Sequence, residues 1–297
     1  MNSELKTLHL IINPNAGTRQ GRRFLPEIIA SFNRAGYICA VCVTDKRGDA
    51  VDYTRSHAGG ADLVVACGGD GTLNEVITGL QLGGHITPLG YIPCGSTNDF
   101  ASGLGLPTAP LMACDTVISG QPRTLDVGLF APDRYFSYTA SFGAFTSVSW
   151  STPQNVKNVL GHAAYILEGI RSLADIRPIH MRIKADSRIY EEDFIFGAIC
   201  NSTSLGGVLK LENSAVHMND GLFEALLIPF PADLIALNRI LTALRTHHYE
   251  DESLHFLRAS SFLFEGDPIT WTLDGEAAEG ASRVEIRNIR NAINLIY

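Results

Sequence analysis

The alternation of short apolar runs with helical patterns over residues 8–103 is the feature that most constrains the fold. Runs of apolar and β-branched residues predict strands at 8–13, 37–44, 62–67 and 88–92, and the segments between them predict helices at 21–35, at 49–58, from Thr72 and near 98–103. Strands that are almost wholly apolar and separated by helices form a parallel sheet with both faces covered. Ligands of such sheets bind beyond the carboxyl ends of the strands. The first part of the chain is therefore predicted to be an α/β domain with its site in those loops.

From Thr124 onward the pattern changes to strand-like runs joined by turns, such as IHMRIKA, LFEALLI and ITWTLDGE, with helices predicted only at 160–175 and 231–245. Many strands in succession predict an antiparallel, sandwich-like domain. We therefore place an α/β domain at 1–125 and an all-β domain at 126–290. Residues 291–297 are predicted to form an apolar strand that could return to the first domain.

Charge and hydropathy exclude several classes of function. The formal net charge is −8 and the isoelectric point about 5.6, which disfavours nucleic acid as a partner. The N-terminal residues lack the pattern of a signal peptide, and no apolar stretch reaches the roughly 18 residues of a membrane helix. We expect a soluble, cytoplasmic protein without a transmembrane segment.

The six cysteines include one C-x-x-C pair, Cys39 and Cys42. The pair lies in a predicted strand, where positions three apart point to opposite faces, and no second C-x-x-C could complete a zinc site. The cysteines are predicted to be buried thiols in a reducing compartment.

The segment VVACGGDGTLNEV (64–76) is the strongest candidate for a functional loop. Gly68, Gly69 and Gly71 follow a buried strand, and Thr72-x-x-Glu75 predicts a capping box that begins a helix. Backbone amides at such a helix start bind phosphate. Asp70 would repel phosphate unless a cation lies between them, which favours Mg²⁺-nucleotide over a purely structural turn.

Two further loops follow strands of the same predicted sheet: NPNAG (13–17) and PCGSTND (93–99), in which Ser96-x-x-Asp99 could cap the next helix. Each alone is a routine turn, but the three loops would converge at one edge of the sheet. No G-x-x-x-x-G-K-[ST] string occurs, and Asn74 breaks a G-x-G-x-x-G pattern, which disfavours Walker-type and dinucleotide-binding sites.

The second domain contains two Asp-Gly turns, in HMNDGLFEA (217–225) and TLDGE (272–276). Both are most simply turns, with functional roles for their carboxylates as the alternative. Asp126, in LDVG, lies where the pattern changes between the domains, and clefts form at such boundaries. The histidines show no metal-binding spacing, and no G-x-S-x-G supports a serine hydrolase.

The ordered strings NPNAG, GGDGTLNEV, PCGSTNDFA, LDVG, NDGLF and LDGE closely resemble the bacterial diacylglycerol kinase family of soluble lipid kinases, which is related to sphingosine and ceramide kinases. The resemblance spans residues 13–276. It implies a Rossmann-like α/β nucleotide-binding domain, similar to NAD kinase and phosphofructokinase, followed by a β-sandwich domain. It also implies an ATP- and Mg²⁺-dependent lipid kinase.

The resemblance implies roles for individual residues. Asp274 would be the general base, and Asp70, Asp126 and Glu276 would position the catalytic Mg²⁺. A structural Mg²⁺ would bind Asp220 and the carbonyl oxygens of His217 and Leu222, although Asn219 stands where many relatives carry another aspartate. The residues that would hold ATP are Asn13, Pro14, Asn15, Ala16, Gly17, Thr44, Gly69, Asp70, Gly71, Thr72, Leu73, Asn74, Glu75 and Ser96.

Two alternatives remain open: a NAD kinase-like or other small-molecule kinase, and a catalytically silent nucleotide-binding regulator. The sequence does not identify the acceptor among diacylglycerol, phosphatidylglycerol, ceramide and sphingoid bases. A lipid substrate requires peripheral contact with the inner face of the membrane, for which Arg19, Arg22 and Arg23 are candidates. An exposed strand in the second domain could support a homodimer.

Overall fold

The computed structural model describes residues 5–143, 177–202, 204–205, 209–210, 217–246, 248–249 and 251–297. The chain divides into two compact units, one formed by Met1–Val127 with Arg290–Tyr297 and the other by Gly128–Ile289. The helix predicted at 160–175 lies outside the described residues.

The first unit contains a parallel sheet of the strands β1 (Lys6–Ile12), β2 (Tyr37–Val43), β3 (Leu63–Gly68) and β4 (Leu89–Pro93). Their order in the sheet is β2-β1-β3-β4. Every residue of β3 and β4 is buried, as nearly continuous apolar runs require. The end of the last strand of the chain, β17 (Arg283–Ile296), lies parallel to β4, with Leu295 opposite Leu89. The C-terminal strand thus finds its partner in the first unit.

Helices connect these strands: α1 (Gln20–Arg23), α2 (Leu25–Arg34), α3 (Asp49–His57), α4 (Asp70–Gly83), α5 (Asp99–Leu104) and α6 (Pro110–Ser119), with a 3₁₀ turn at Ala58–Gly60. The single helix predicted at 21–35 is divided at Phe24. Pro26 has no N–H to continue the hydrogen bonding of the first helix, but it fits the first turn of a new one.

The predicted capping box at the start of α4 is wrong. The helix begins at Asp70, two residues before Thr72, and Gly69 is its N-cap without a side-chain hydrogen bond. Glu75 instead accepts a hydrogen bond at 3.0 Å from the backbone N–H of Gly48, in the loop that precedes α3. A competing backbone donor therefore draws the Glu75 side chain away from the helix start.

In its described residues, the second unit is mostly antiparallel and contains one helix, α7 (Leu234–Thr246). Its further strands are β6 (Arg134–Phe136), β7 (Thr139–Gly143), β8 (Ile179–Ala185), β9 (Arg188–Cys200), β10 (Ser204–Leu205), β11 (Leu209–Lys210), β12 (Phe223–Pro229), β13 (His255–Ala259), β14 (Ser261–Gly266), β15 (Thr270–Leu273) and β16 (Glu276–Glu279). The strand β5 (Pro122–Phe130) begins in the first unit and pairs with β6. The main sheet of the second unit has the order β16-β15-β7-β9-β8-β14-β17, β12 pairs with β9 and β13, and β10 pairs with β11.

The described residues of the second unit form two apolar cores. One contains Phe142, Phe264 and Trp271, whose rings meet edge to face with centroids 4.9 Å apart in the pairs that include Trp271. The other lies under α7, which buries Leu237, Ile240 and Leu244 against strand residues such as Leu226. These buried residues follow the helical period of the sequence.

The predicted burial of the cysteines is confirmed for Cys67, Cys94, Cys114 and Cys200 and is wrong for Cys39 and Cys42. Cys39 and Cys42 are half-buried, because β2 lies at the edge of its sheet and, within the described part of the chain, pairs only with β1. All six thiols are free. Among the described residues, no helix is both long and apolar enough to cross a membrane.

Candidate functional site

The three glycine-containing loops of the first unit meet at the carboxyl edge of its sheet. A Cβ added to Gly17 would come within 2.4 Å of the carbonyl oxygen of Cys94, and one added to Gly95 within 2.6 Å of the Cα of Gly69. Ordinary side chains cannot approach so closely, so only glycine permits these contacts. The loops after β1, β3 and β4 therefore form one continuous backbone surface, as the sequence predicts.

The start of α4 faces into this cluster of loops. Gly69 offers no side chain to cap the helix, so its first amides depend on other acceptors. The helix dipole adds positive potential at this point. An anion such as phosphate matches both properties.

Asp70 connects the first turn of α4 to the start of α5. Its carboxylate oxygens accept hydrogen bonds from the backbone N–H groups of Asp99 at 3.0 Å and Phe100 at 3.3 Å, and the residue is 9% exposed. These donors are uncharged, so they fix the carboxylate without neutralising it. Such a carboxylate is suited to a hard cation such as Mg²⁺.

The Ser96 cap predicted for α5 is wrong. The N-cap is Asn98, which has a left-handed backbone with φ of 51° and makes no side-chain cap to the helix. Its Oδ1 instead accepts a hydrogen bond at 2.8 Å from the N–H of Gly95, and its Nδ2 donates to the Gly95 carbonyl at 3.2 Å. Asn98 thus shapes the loop around Gly95, while Ser96 is exposed.

Two other predicted nucleotide contacts border the same edge of the sheet. Asn13 Oδ1 accepts a hydrogen bond at 3.0 Å from the N–H of Asn15, which turns the loop immediately after β1. Thr44 follows β2, and both its N–H at 2.9 Å and its Oγ1 at 3.3 Å donate to the Ile12 carbonyl. Leu73 is fully buried, so its side chain belongs to the core of the unit.

Asp126 lies in the buried part of β5 and is 1% exposed. Its Oδ1 accepts a hydrogen bond at 2.8 Å from the backbone N–H of Asn291, in the returning strand β17. Burial of a carboxylate needs such a donor.

In the second unit, Asp274 occupies a tight hairpin turn between β15 and β16. Asp274 and Gly275 both have positive φ, 48° and 84°, as an Asp-Gly hairpin turn requires. The Asp274 carboxylate accepts hydrogen bonds from Ser137 N–H (2.5 Å), Ser137 Oγ (2.8 Å), Tyr138 N–H (3.0 Å) and Thr139 N–H (3.0 Å). Burial raises the pKa of Asp274, while each of these donors lowers it. Glu276 begins β16 and is exposed.

The predicted structural metal ligands already accept hydrogen bonds from protein donors. Asp220 N–H donates to the His217 carbonyl at 3.4 Å, Leu222 N–H to Asp220 Oδ1 at 2.9 Å, and Asn288 Nδ2 to the Leu222 carbonyl at 3.2 Å. The second oxygen of Asp220 accepts from Arg258. Among the residues that the structure describes, no three His, Cys, Asp or Glu side chains are grouped to hold a metal ion.

Sequence reasoning missed two residues beside these carboxylates. Tyr91, on β4, is 2% exposed, and burial together with the nearby Asp70 carboxylate raises its pKa. Ser137 supplies two donors to Asp274 across 137 residues of sequence. Only Tyr91 carried a signal, as a polar side chain in an otherwise apolar strand.

The chain matches two family models. Residues 7–130 match the diacylglycerol kinase catalytic domain, and residues 141–297 match the YegS C-terminal NAD kinase beta sandwich-like domain. An α/β domain followed by a sandwich-like β domain is therefore confirmed.

Curated relatives are similar over most of their length. The diacylglycerol kinase of Bacillus subtilis strain 168 is 33% identical over 276 residues, which cover 92% of this chain and 90% of that protein. The diacylglycerol kinase of Staphylococcus saprophyticus is 34% identical over 258 residues, covering 86% and 84% respectively. A crystal structure of a diacylglycerol kinase from Bacillus anthracis superposes with a TM-score of 0.80 at 21% identity and covers 100% of this chain and 98% of that one, which shows a shared fold.

Proposed function

Since this chain belongs to the diacylglycerol kinase family of lipid kinases, we propose that it transfers the γ-phosphate of ATP to a hydroxyl of a diacylglycerol-like lipid, with Mg²⁺ as the metal. The observation that carries this proposal is the backbone contact of Gly17, Gly69 and Gly95 around the uncapped start of α4. Phosphoryl transfer depends on positioning and on neutralising charge more than on covalent chemistry. This surface offers close backbone approach and a positive helix end for that purpose.

In this proposal the loops 13–17, 69–75 and the residue Ser96 bind ATP, and Thr44 borders the same site. The backbone contacts support this role, because they bring the three glycine-containing loops together at the start of α4. Leu73 takes part only through its backbone, since its side chain is buried. The Glu75 side chain acts indirectly by holding the loop that contains Gly48.

Asp70, Asp126 and Glu276 are proposed to position the metal. Backbone N–H groups fix Asp70 and Asp126 and leave their negative charge in place, which suits oxygen ligands of a hard cation. When bound, Mg²⁺ would neutralise the phosphate charge that develops during transfer.

Asp274 is proposed to accept the proton of the lipid hydroxyl. Its four donors hold the carboxylate in one orientation. A carboxylate offers about four lone-pair positions, so an incoming hydroxyl must replace one donor. Ser137 Oγ is the donor that can leave by simple rotation, because the other three belong to the backbone.

The proposed lipid acceptor requires the reaction to take place at a membrane surface. A diacylglycerol stays in a bilayer, so the protein must reach the cytoplasmic membrane surface peripherally. Arg19, Arg22 and Arg23 lie in or next to α1, and all three are exposed. We propose that they contact anionic lipid. A homodimer, formed when an exposed strand of the second domain pairs with the same strand of a second copy, remains a prediction.

Labelled ATP, Mg²⁺ and mixed micelles that contain diacylglycerol, phosphatidylglycerol, ceramide or a sphingoid base test this function. NAD in place of lipid tests the small-molecule alternative. We expect label in the diacylglycerol product, identified by mass spectrometry, and its loss in the Asp70→Asn variant. Label in NAD, or ATP binding without transfer to any acceptor, would contradict the proposal.

A further inference from the structure

Two carboxylates of the second unit share the guanidinium group of one arginine. Asp220 lies in the turn before β12, Glu224 lies on β12, and Arg258 lies on β13. Glu224 and Arg258 are directly opposite in the antiparallel register of β12 and β13. The backbone pairing therefore brings the guanidinium to the two carboxylates.

The guanidinium binds both acids through different nitrogen atoms. Arg258 Nη2 lies 2.5 Å from Asp220 Oδ2, and Arg258 Nε lies 3.0 Å from Glu224 Oε1. Glu224 is only 1% exposed. A buried carboxylate is strongly destabilising unless a partner compensates its charge. Arginine suits this task because its planar fork is always charged and can serve two acceptors.

The same loop fits a divalent ion poorly. Mg²⁺ requires about six oxygen ligands at roughly 2.1 Å. Water usually supplies several of these ligands. The protein oxygens that would bind the ion directly, on His217, Asp220 and Leu222, already accept hydrogen bonds from protein donors. Asn219 is exposed and removes one carboxylate from the turn.

We propose that the guanidinium of Arg258 is the structural cation of this loop, in the place where the family resemblance implies Mg²⁺. The fold of the loop is then independent of divalent ions. The inference depends on contacts within the second unit alone and does not require the proposed kinase activity.

Thermal unfolding of the nucleotide-free full chain at pH 8 tests the role of Arg258. Arg258→Met keeps the length of the side chain and removes its charge. The matched control is Arg182→Met, because Arg182 also pairs across antiparallel strands with an acid, Glu265, at 3.0 Å, but Glu265 is 34% exposed whereas Glu224 is 1% exposed. We expect Arg258→Met to lower the unfolding midpoint by roughly 5–10 °C and the control to change it by no more than about 2 °C. Equal effects of the two substitutions would overturn the proposal.

Metal dependence gives a second readout that works even if Arg258→Met does not fold. We expect the midpoint of the unsubstituted chain to be the same in EDTA and in excess Mg²⁺. Mn²⁺ binding, followed by electron paramagnetic resonance without nucleotide, should be equal in the unsubstituted chain and in Asp220→Asn. A Mn²⁺ site or a Mg²⁺-dependent midpoint that disappears in Asp220→Asn would overturn the proposal.

Discussion

Gly95 lies against Gly69 so closely that a Cβ on Gly95 would come within 2.6 Å of the Gly69 Cα and 2.8 Å of Asn98 Oδ1. Both contacts involve atoms that cannot move freely: one is backbone, and the other is held by its hydrogen bond to the Gly95 N–H. The loops after β3 and β4 can therefore keep their positions only if residue 95 has no side chain.

Gly95→Ala should weaken ATP binding at least about tenfold, because the added methyl group separates two loops of the proposed phosphate site. Calorimetric titration with a non-hydrolysable ATP analogue measures this effect. Gly60→Ala is the control, since its Cβ would meet nothing within 4 Å. Unchanged affinity in Gly95→Ala would remove these loops from the nucleotide site.

Asp70→Asn should lower kcat by roughly 10²–10³-fold, because a neutral amide cannot organise the cation at the transferring phosphate. It should also reduce stability by about 1 kcal/mol, because the amide nitrogen cannot accept one of the two backbone hydrogen bonds. Initial rates across a Mg²⁺ titration, together with urea unfolding, separate the two effects. Turnover equal to that of the unsubstituted chain at every Mg²⁺ concentration would argue against this role.

Asp274→Asn should both inactivate and destabilise the protein. Activity should fall by roughly 10²–10⁴-fold if Asp274 is the general base. Stability should fall by about 1–3 kcal/mol, because the amide nitrogen would face buried donors. Lipid phosphorylation and urea unfolding measure these two losses.

Ser137→Ala tests whether the Asp274 carboxylate needs its side-chain donor for activity. It deletes the Oγ donor and leaves the three backbone donors in place. We expect a stability loss of about 1 kcal/mol with substantial activity. An inactive Ser137→Ala variant that folds normally would show that orientation of the carboxylate, and not only its basicity, controls the reaction.

Glu224 should make stability depend on pH. Burial raises its pKa from the ordinary value of 4.5 to about 7, against the opposing effect of Arg258. The folded state then binds the proton more tightly than the unfolded state. The free energy of unfolding should therefore fall, by at most about 3 kcal/mol, as the pH rises from about 4.5 through about 7.

Glu224→Gln should flatten this part of the pH profile, because glutamine does not titrate. Urea unfolding of both proteins at pH 5 and pH 8 gives the comparison. If the difference between their free energies of unfolding is the same at both pH values, Glu224 does not titrate in this interval.

The sequence alone was sufficient to predict those strands and turns that local residue patterns determine. Apolar runs located β1 to β4 within one or two residues, and the Asp-Gly dipeptide at 274–275 predicted its turn. The strand IHMRIKA is observed with the predicted bounds.

Prediction failed where a distant partner decides the structure. The capping box failed because Glu75 binds Gly48, and nothing near Asp274 in the sequence indicates Ser137 as its partner. Likewise, Arg258 reaches Asp220 only after strand register is established. Such pairings depend on tertiary contacts, which a single sequence does not specify.

The strand that ends at Ile296 has a consequence for synthesis on the ribosome. β4 acquires this neighbour only after all of residues 128–289 have been made. Until then the first unit exposes an apolar sheet edge of the kind that promotes aggregation. During synthesis, the residues of the second unit are therefore made before the last strand of the first unit. Fragments that end before this last strand leave the edge of β4 exposed.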